Sequence, residues 1–282
     1  MRVVTVHSWQ GGSGRSTAVA NLGYLLAQRG LRVALVDASL QAPGLHCALG
    51  LPDDTFGAGL SDYLRGGCGI DEVFHDVGAR LAVGGGTLVL VPARPDPGLI
   101  ARCVLGRGYD PGLFHESLRW LDETLGFEAV LIDTHAGVNP EAVNALAVAD
   151  LRLVLAAPGA RAYAGARTAG TIARQVNRNP VLLVVTMLGS GADPAELADA
   201  AAAASGLEVA ALLPNVPKLG ERCEQTDAWP FVRARPRHRL TAAYRSLTDR
   251  IIAQLALQPA QQQPVKAVTA VTAVKAVGAG SR

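Results

Sequence analysis

Short apolar runs alternate along this chain with longer stretches in which apolar residues recur every three or four positions. The runs are Met1 to His7, Leu31 to Asp37, Thr87 to Pro92, Glu128 to Asp133, Leu151 to Ala156, Val181 to Thr186 and Leu207 to Leu213. Runs of this length with almost no polar interruption predict strands buried on both faces, as in a parallel sheet. Helices are predicted between them: Arg15 to Arg29 with Leu22, Leu25 and Leu26 on one face and Gly30 as a stop, then Pro111 to Leu125, 140–148, 163–177, an Ala-rich 193–205, and Thr241 to Leu257. Gly59 to Leu64 reads as a short capped helix, whereas 66–86 is glycine-rich and shows no period. Regular alternation of strand and helix predicts an α/β fold, a three-layer α/β/α sandwich around a mostly parallel central sheet.

The pattern stops after Leu257. Gln261-Gln262-Gln263-Pro264 reads as a linker, and Val265, Val268, Val271, Val274 and Val277 then recur every third residue. An α-helix turns about 100° per residue, so this period spreads the valines around a helix and makes no apolar stripe. The predicted organisation is one domain over 1–257 and a low-complexity, disordered tail over 258–282. Three of the 26 basic residues and none of the 24 acidic ones lie in that tail, so 1–257 carries 23 basic residues against 24 acidic ones. A near-neutral body lacks the footprint of a dedicated nucleic-acid binder. Four cysteines without C-x-x-C spacing read as thiols of a reducing compartment. With no apolar run of membrane-spanning length and no leader pattern, the expected location is the cytoplasm.

The chemistry concentrates at the first strand–helix turn, Gln10-Gly11-Gly12-Ser13-Gly14-Arg15-Ser16-Thr17. A strand, a glycine-rich turn and a helix N-terminus in that order form a phosphate cradle, with backbone N–H groups and the helix dipole favouring an anion. The turn departs twice from G-x-x-x-x-G-K-[ST]: Trp9 stands at the first glycine and Arg15 at the lysine. Asp37 and Asp133 each end an apolar run, where ligands meet parallel sheets. Ser16 and Asp133 occupy the positions of the hydroxyl and the strand-terminal acid that hold Mg²⁺ in P-loop NTPases, with Asp37 as a third metal candidate.

These stretches resemble the MinD/ParA-type ATPases with a deviant Walker A loop, K-G-G-x-G-K-[ST]-T. They carry D-x-D-P-Q after the second strand and D-T/A-x-x-G at the Walker B strand. The matching segments are Gln10 to Thr17, Asp37 to Gln41 and Asp133 to Gly137; Gly59 to Leu64 and Leu213 to Pro217 also fit, over roughly 1–257. Ser8, Trp9, Arg15 and Ala42 to His46 fit a variant group with an aromatic before the loop and G-R-[ST] at its end. The resemblance implies a P-loop NTPase that binds ATP and Mg²⁺, with Gln10, Gly11, Gly12, Ser13, Gly14, Arg15, Ser16 and Thr17 around the phosphates. It implies a nucleotide-dependent homodimer that works as a switch in positioning or regulation through a protein partner. Gln10 replaces the signature lysine that reaches across the dimer, and Ser39 replaces the second acid of D-x-D, so hydrolysis is expected to be slow or impaired. Gln41 is the remaining candidate for orienting water. Thr186 stands where many relatives place a base-reading asparagine.

Two other readings stay open: a degenerate scaffold acting only through protein contacts, and a small-molecule kinase or synthetase on the same fold. His135, two residues past Asp133, is read as a loop-packing or solvated side chain rather than a catalytic one. Arg233, Arg235, Arg237, His238 and Arg239 cluster before the last helix. This cluster, or the tail, is the candidate contact for nucleic acid or a membrane surface, which would place the protein on the nucleoid or peripherally on the membrane.

Overall fold

A computed structural model describes residues 1–105, 110–189, 191, 193–217 and 229–259, with the backbone alone at 103–105. The expected tail lies outside the described residues from 260 onward. Eight strands form one sheet: β1 (Arg2–Ser8), β2 (Arg32–Ala38), β3 (His75–Asp76), β4 (Thr87–Val91), β5 (Ala129–Thr134), β6 (Leu151–Ala156), β7 (Val181–Leu188) and β8 (Glu208–Pro214). Their spatial order is β3-β4-β2-β5-β1-β6-β7-β8. All neighbours are parallel except β3, which pairs antiparallel with β4 at the edge.

Successive strand residues point to opposite faces, and each face is covered. Val4, Val6, Leu35 and Leu131 pack with helix α1 (Arg15–Gln28) and the last helix on one side. Val3, Val36, Val130 and Ile132 pack on the other side with Phe114, Leu118 and Leu121 of the helix Pro111–Glu123. Val154, Leu183 and Val185 continue that second side against Tyr163, Ala166 and Ala169 of the helix Ala160–Val176. The sandwich is therefore three-layered, as the run pattern predicts.

We number the helices in chain order: α1, α2 (Leu45–Ala48), α3 (Leu60–Tyr63), α4 (Pro97–Leu105), α5 (Pro111–Glu123), α6 (Pro140–Val148), α7 (Ala160–Val176), α8 (Pro194–Ser205), α9 (Phe231–Ala234) and α10 (Arg239–Leu255). Three starts carry side-chain caps followed by proline in the first turn: Asp110 before α5, Asn139 before α6 and Asp193 before α8. The strand order reverses direction at β1, which lies between β5 and β6. The loop leaving β1 therefore opens at the C-terminal edge of the sheet, at the switch point where α/β ligands bind.

Candidate functional site

The loop from Trp9 to Gly14 is built for close approach. Gly12 and Gly14 have φ of 74° and 85°, and nothing lies within 4 Å of where a Cβ would stand at Gly11, Gly12 or Gly14. The left-handed backbone excludes ordinary side chains, and the open space leaves the loop concave. Gly14 caps α1 without a side-chain hydrogen bond, and the first turn holds no acid. The free N–H groups and the helix dipole thus face an uncompensated opening.

Trp9 has a packing role that explains its departure from the ordinary loop. A Cβ added at Gly165 of α7 would stand 2.3 Å from Trp9 Cγ, so the indole lies directly on the helix where only glycine fits. The large residue anchors the start of the loop to α7.

Beside the loop opens a cavity of about 630 Å³, lined by Gly12 to Thr17, Thr186, Met187, Leu213 to Pro217, Trp229, Leu240 and Tyr244. Ser13 and Thr186 each carry a buried hydroxyl with no partner among the described residues. A mixed apolar and hydroxyl lining contiguous with an anion cradle suits a ligand with phosphates at one end and a flat apolar body at the other.

Asp37 and Asp133 are paired in register across β2 and β5, and both are buried. Burial pushes both carboxyl groups well above the usual carboxylate range. The charge of Asp133 adds to the rise at Asp37, while the hydrogen bond from Ser16 and the Arg15 charge pull Asp133 back. Ser16 Oγ donates to Asp133 Oδ2 at 2.5 Å, and Asp133 Oδ1 is buried without a hydrogen-bond partner. Two buried acids and a hydroxyl, one oxygen still unsatisfied, are a donor set for a small hard cation. Asp37 has a second duty. Its Oδ1 accepts from Ser39 N (3.0 Å), and its Oδ2 from Gly44 N and Leu45 N (3.1 Å each), which folds 39–45 around it.

The structure places Arg15 beneath the loop as much as in it. Its Nε donates to Thr134 O at 2.9 Å and lies 3.8 Å from Asp133 Oδ1, and its Nη1 donates to Ser8 Oγ and to Gln10 O. Those bonds tie the ends of β1 and β5 to the loop and leave part of the guanidinium's five-donor fork unused. Gln10 is half-buried, and its carbonyl also accepts from Ser8 Oγ at 2.7 Å. Gln41 is half-exposed on the loop that Asp37 holds.

Two histidines that the sequence separates widely meet this group. His7 is buried on β1, with Nδ1 2.8 Å from Thr134 Oγ1. Thr134 Oγ1 donates its proton to Val6 O, so His7 Nδ1 carries the hydrogen and Nε2 is a bare lone pair. Burial, with the nearby charges of Arg15 and His135, pushes His7 down to about 4. His135 lies with Nδ1 3.2 Å from Ser39 Oγ, which itself donates to Ala42 O at 3.0 Å. Burial and Arg15 lower its pKa. His135 thus packs within the loop, as expected, with Ser39 as its partner. The contacts of His7 and Arg15 with Thr134 and Ser8 escaped the sequence reading. The one available signal was a polar pair, His7-Ser8, ending an otherwise apolar strand.

In the basic cluster, Arg233, Arg235, Arg237 and Arg239 are exposed, whereas His238 is the cap of α10, its Nδ1 accepting from Leu240 N at 3.0 Å. Among the described residues no helix is long and apolar enough to cross a membrane.

The profile of the CobQ/CobB/MinD/ParA nucleotide binding domain matches residues 4–227, most of the chain. The chain belongs to this family. Among curated MinD/ParA-type relatives, the septum site-determining protein MinD of Bacillus subtilis is 29% identical over 66% of this chain and 64% of its own length. The chain spans about 60% of the length of the curated relatives it matches. Two solved structures share the fold. The Pyrococcus horikoshii septum site-determining protein MinD, complexed with Mg-ADP, has a TM-score of 0.73 at 20% identity, covering 89% of this chain and 95% of that one. The Pyrococcus furiosus cell division ATPase MinD has a TM-score of 0.74 at 22% identity, covering 89% and 98%.

Proposed function

We propose that this MinD/ParA-type protein binds ATP with Mg²⁺ and acts as a nucleotide-dependent dimerisation switch in positioning or regulation, with slow or impaired hydrolysis. One observation carries the reading: an open glycine cradle beside a large cavity, with Ser16, Asp133 and Asp37 gathered at its base. Gly11, Gly12, Ser13, Gly14 and Thr17 take the phosphates, and Arg15 adds charge from below. Ser16 and Asp133 hold the cation, and Asp37 shares its charge while shaping the loop over it. The bound cation supplies charge neutralisation between phosphates. The cavity walls at Thr186 and Leu213 to Pro217 take the base.

The switch works only if ATP favours the dimer through contacts the monomer lacks. Gln10 offers no charge to a partner's phosphates, and the Ser39 hydroxyl is engaged by Ala42 and His135. Both favour slow turnover. They also favour the second reading, a protein that binds nucleotide and acts through protein contacts without a hydrolytic reset.

Calorimetric titration of the full chain with ATP, with and without Mg²⁺, tests the reading alongside phosphate release and mass by light scattering. The expected result is Mg²⁺-dependent binding, a mass doubled by ATP and little phosphate release. Absence of binding under both conditions overturns both nucleotide readings. Tight binding with a constant monomer mass overturns the switch.

A further inference from the structure

Away from the phosphate cradle, three donors of different chemistry converge on one point. His46 Nε2 lies 2.8 Å from Asp53 Oδ1 and 3.2 Å from Cys47 Sγ, and Cys47 Sγ lies 3.8 Å from Asp53 Oδ1. A single imidazole nitrogen has one lone pair or one N–H and serves one hydrogen-bond partner. Here a thiol, a carboxylate and an imidazole nitrogen lie within hydrogen-bonding reach of one another, and a cation between the three would replace the protons they share.

The spacing fits a particular ion. Around tetrahedral zinc, with bonds of about 2.3 Å to sulfur and about 2.0–2.1 Å to nitrogen or oxygen, donor atoms stand about 3.3–3.6 Å apart. The three separations here fall within about half an ångström of those edges. Thiolate with imidazole selects a borderline-soft ion, whereas Mg²⁺ demands six oxygens in an octahedron. The cluster is therefore chemically distinct from the donors at Asp133 and Ser16.

The frame is fixed before any ion arrives. His46 is buried, while Cys47 and Asp53 are exposed, so solvent reaches the fourth position. Leu49 and Leu51, between the donors, are buried in the core. Gly50 N and Leu51 N donate to Cys47 O and His46 O at 2.9 and 3.0 Å, and Thr55 N donates to Pro52 O at 3.1 Å. These contacts fix the turn that follows α2 and, separately, the turn that carries Asp53.

We propose that His46, Cys47 and Asp53 form a zinc site of three protein ligands with water in the fourth position. Zinc enters on the Cys47 thiolate, and the thiol proton passes to solvent. The second shell is thin: His46 Nδ1 is buried with no hydrogen-bond partner among the described residues, where zinc imidazoles ordinarily donate to a carbonyl or carboxylate. That lack lowers the expected affinity by about 10- to 100-fold relative to a fully supported site. The site is independent of the nucleotide reading and stands or falls separately.

The test is titration of metal-free full chain with Zn²⁺ and, for optical readout, Co²⁺. Wild type is expected to bind one ion per chain, with sulfur-to-cobalt charge-transfer absorption. Cys47→Ser should abolish that absorption, and Asp53→Asn should weaken Zn²⁺ binding about tenfold or more. Both side chains are exposed, so both variants should melt like wild type. No Zn²⁺ binding by wild type overturns the proposal, as does charge-transfer absorption that persists in Cys47→Ser, or binding unchanged in Asp53→Asn.

Discussion

Asp133 and Asp37 show what burial does when two acids face each other in register. Their folded-state pKa values stand above the ordinary carboxylate value, so between that value and the raised ones the native state holds more protons than the unfolded chain. Stability contributed by the pair is present at low pH and is lost as pH rises through this window. His7 works the opposite way: its lowered pKa gives stability that is present above the ordinary histidine value and lost as pH falls toward about 4. Comparison with Asp133→Asn isolates the acid pair, because His7 is common to both proteins. The expected result, by thermal melting without nucleotide or metal, is that wild type loses stability relative to Asp133→Asn between pH 4 and pH 7. A constant difference would show that folding does not raise the Asp133 carboxyl.

Arg15 carries a second residue-scale expectation. Its side chain joins Thr134 O, Gln10 O and Ser8 Oγ while holding charge under the cradle. Charge-assisted hydrogen bonds are worth about 1.5–3 kcal/mol each, so Arg15→Ala should weaken ATP binding by about 10- to 100-fold in titration. Arg15→Lys keeps the charge but not the fork, and should fall between the two. Unchanged affinity in Arg15→Ala would remove the residue from the phosphate site.

At the scale of elements, the strands were the legible part. A strand buried on both faces writes itself as an unbroken apolar run, and the sequence boundaries of β1, β2, β4, β5, β6, β7 and β8 agree with the structure to within a residue or two. The two-residue β3, the four-residue α9 and α4 were not read. The first two are too short for any period, and α4 follows a proline-rich stretch that resembles a loop. The glycine loop and the strand-terminal acids were legible because each sits at a fixed offset within one βα unit. His7–Thr134 and Ser39–His135 were not, because parallel register alone brings together residues 127 and 96 positions apart.

The seating of Trp9 on α7 was equally invisible in the sequence, since Gly165 is one small residue among many in an Ala- and Gly-rich helix. Gly165→Ala places its new methyl carbon against the indole at its attachment carbons, which cannot swing aside without moving the loop. A cost of about 1–3 kcal/mol is expected in urea unfolding, with a shift in tryptophan fluorescence and weaker ATP binding. An unperturbed variant would mean that the loop does not depend on α7.

For the whole molecule the question is whether two copies complete what one lacks. On the proposed reading, the cradle of a single chain brings its candidate cation donors and a half-buried arginine, yet nothing cationic at position 10, where the related ATPases carry the lysine that crosses to the partner. Under that proposal, charge developing on a phosphate during hydrolysis is met without that lysine. Gln10 is half-buried at the mouth of the loop, and its hydrogen bonds in the structure run through its carbonyl oxygen, which any side chain retains. Gln10→Lys should therefore fold normally and place an ammonium on the face a second copy would cover. A single preorganised contact to transition-state charge is worth up to about 10²–10³ in rate, and a restored one in a frame adapted to glutamine should recover about tenfold. The measurement is phosphate release against protein concentration. A rise that grows with concentration, and is absent when Asp133→Asn is combined with Gln10→Lys, assigns the gain to a nucleotide-bound dimer. A rise independent of concentration places the new lysine on its own phosphates. No rise argues against dimer catalysis of the MinD/ParA type in this chain.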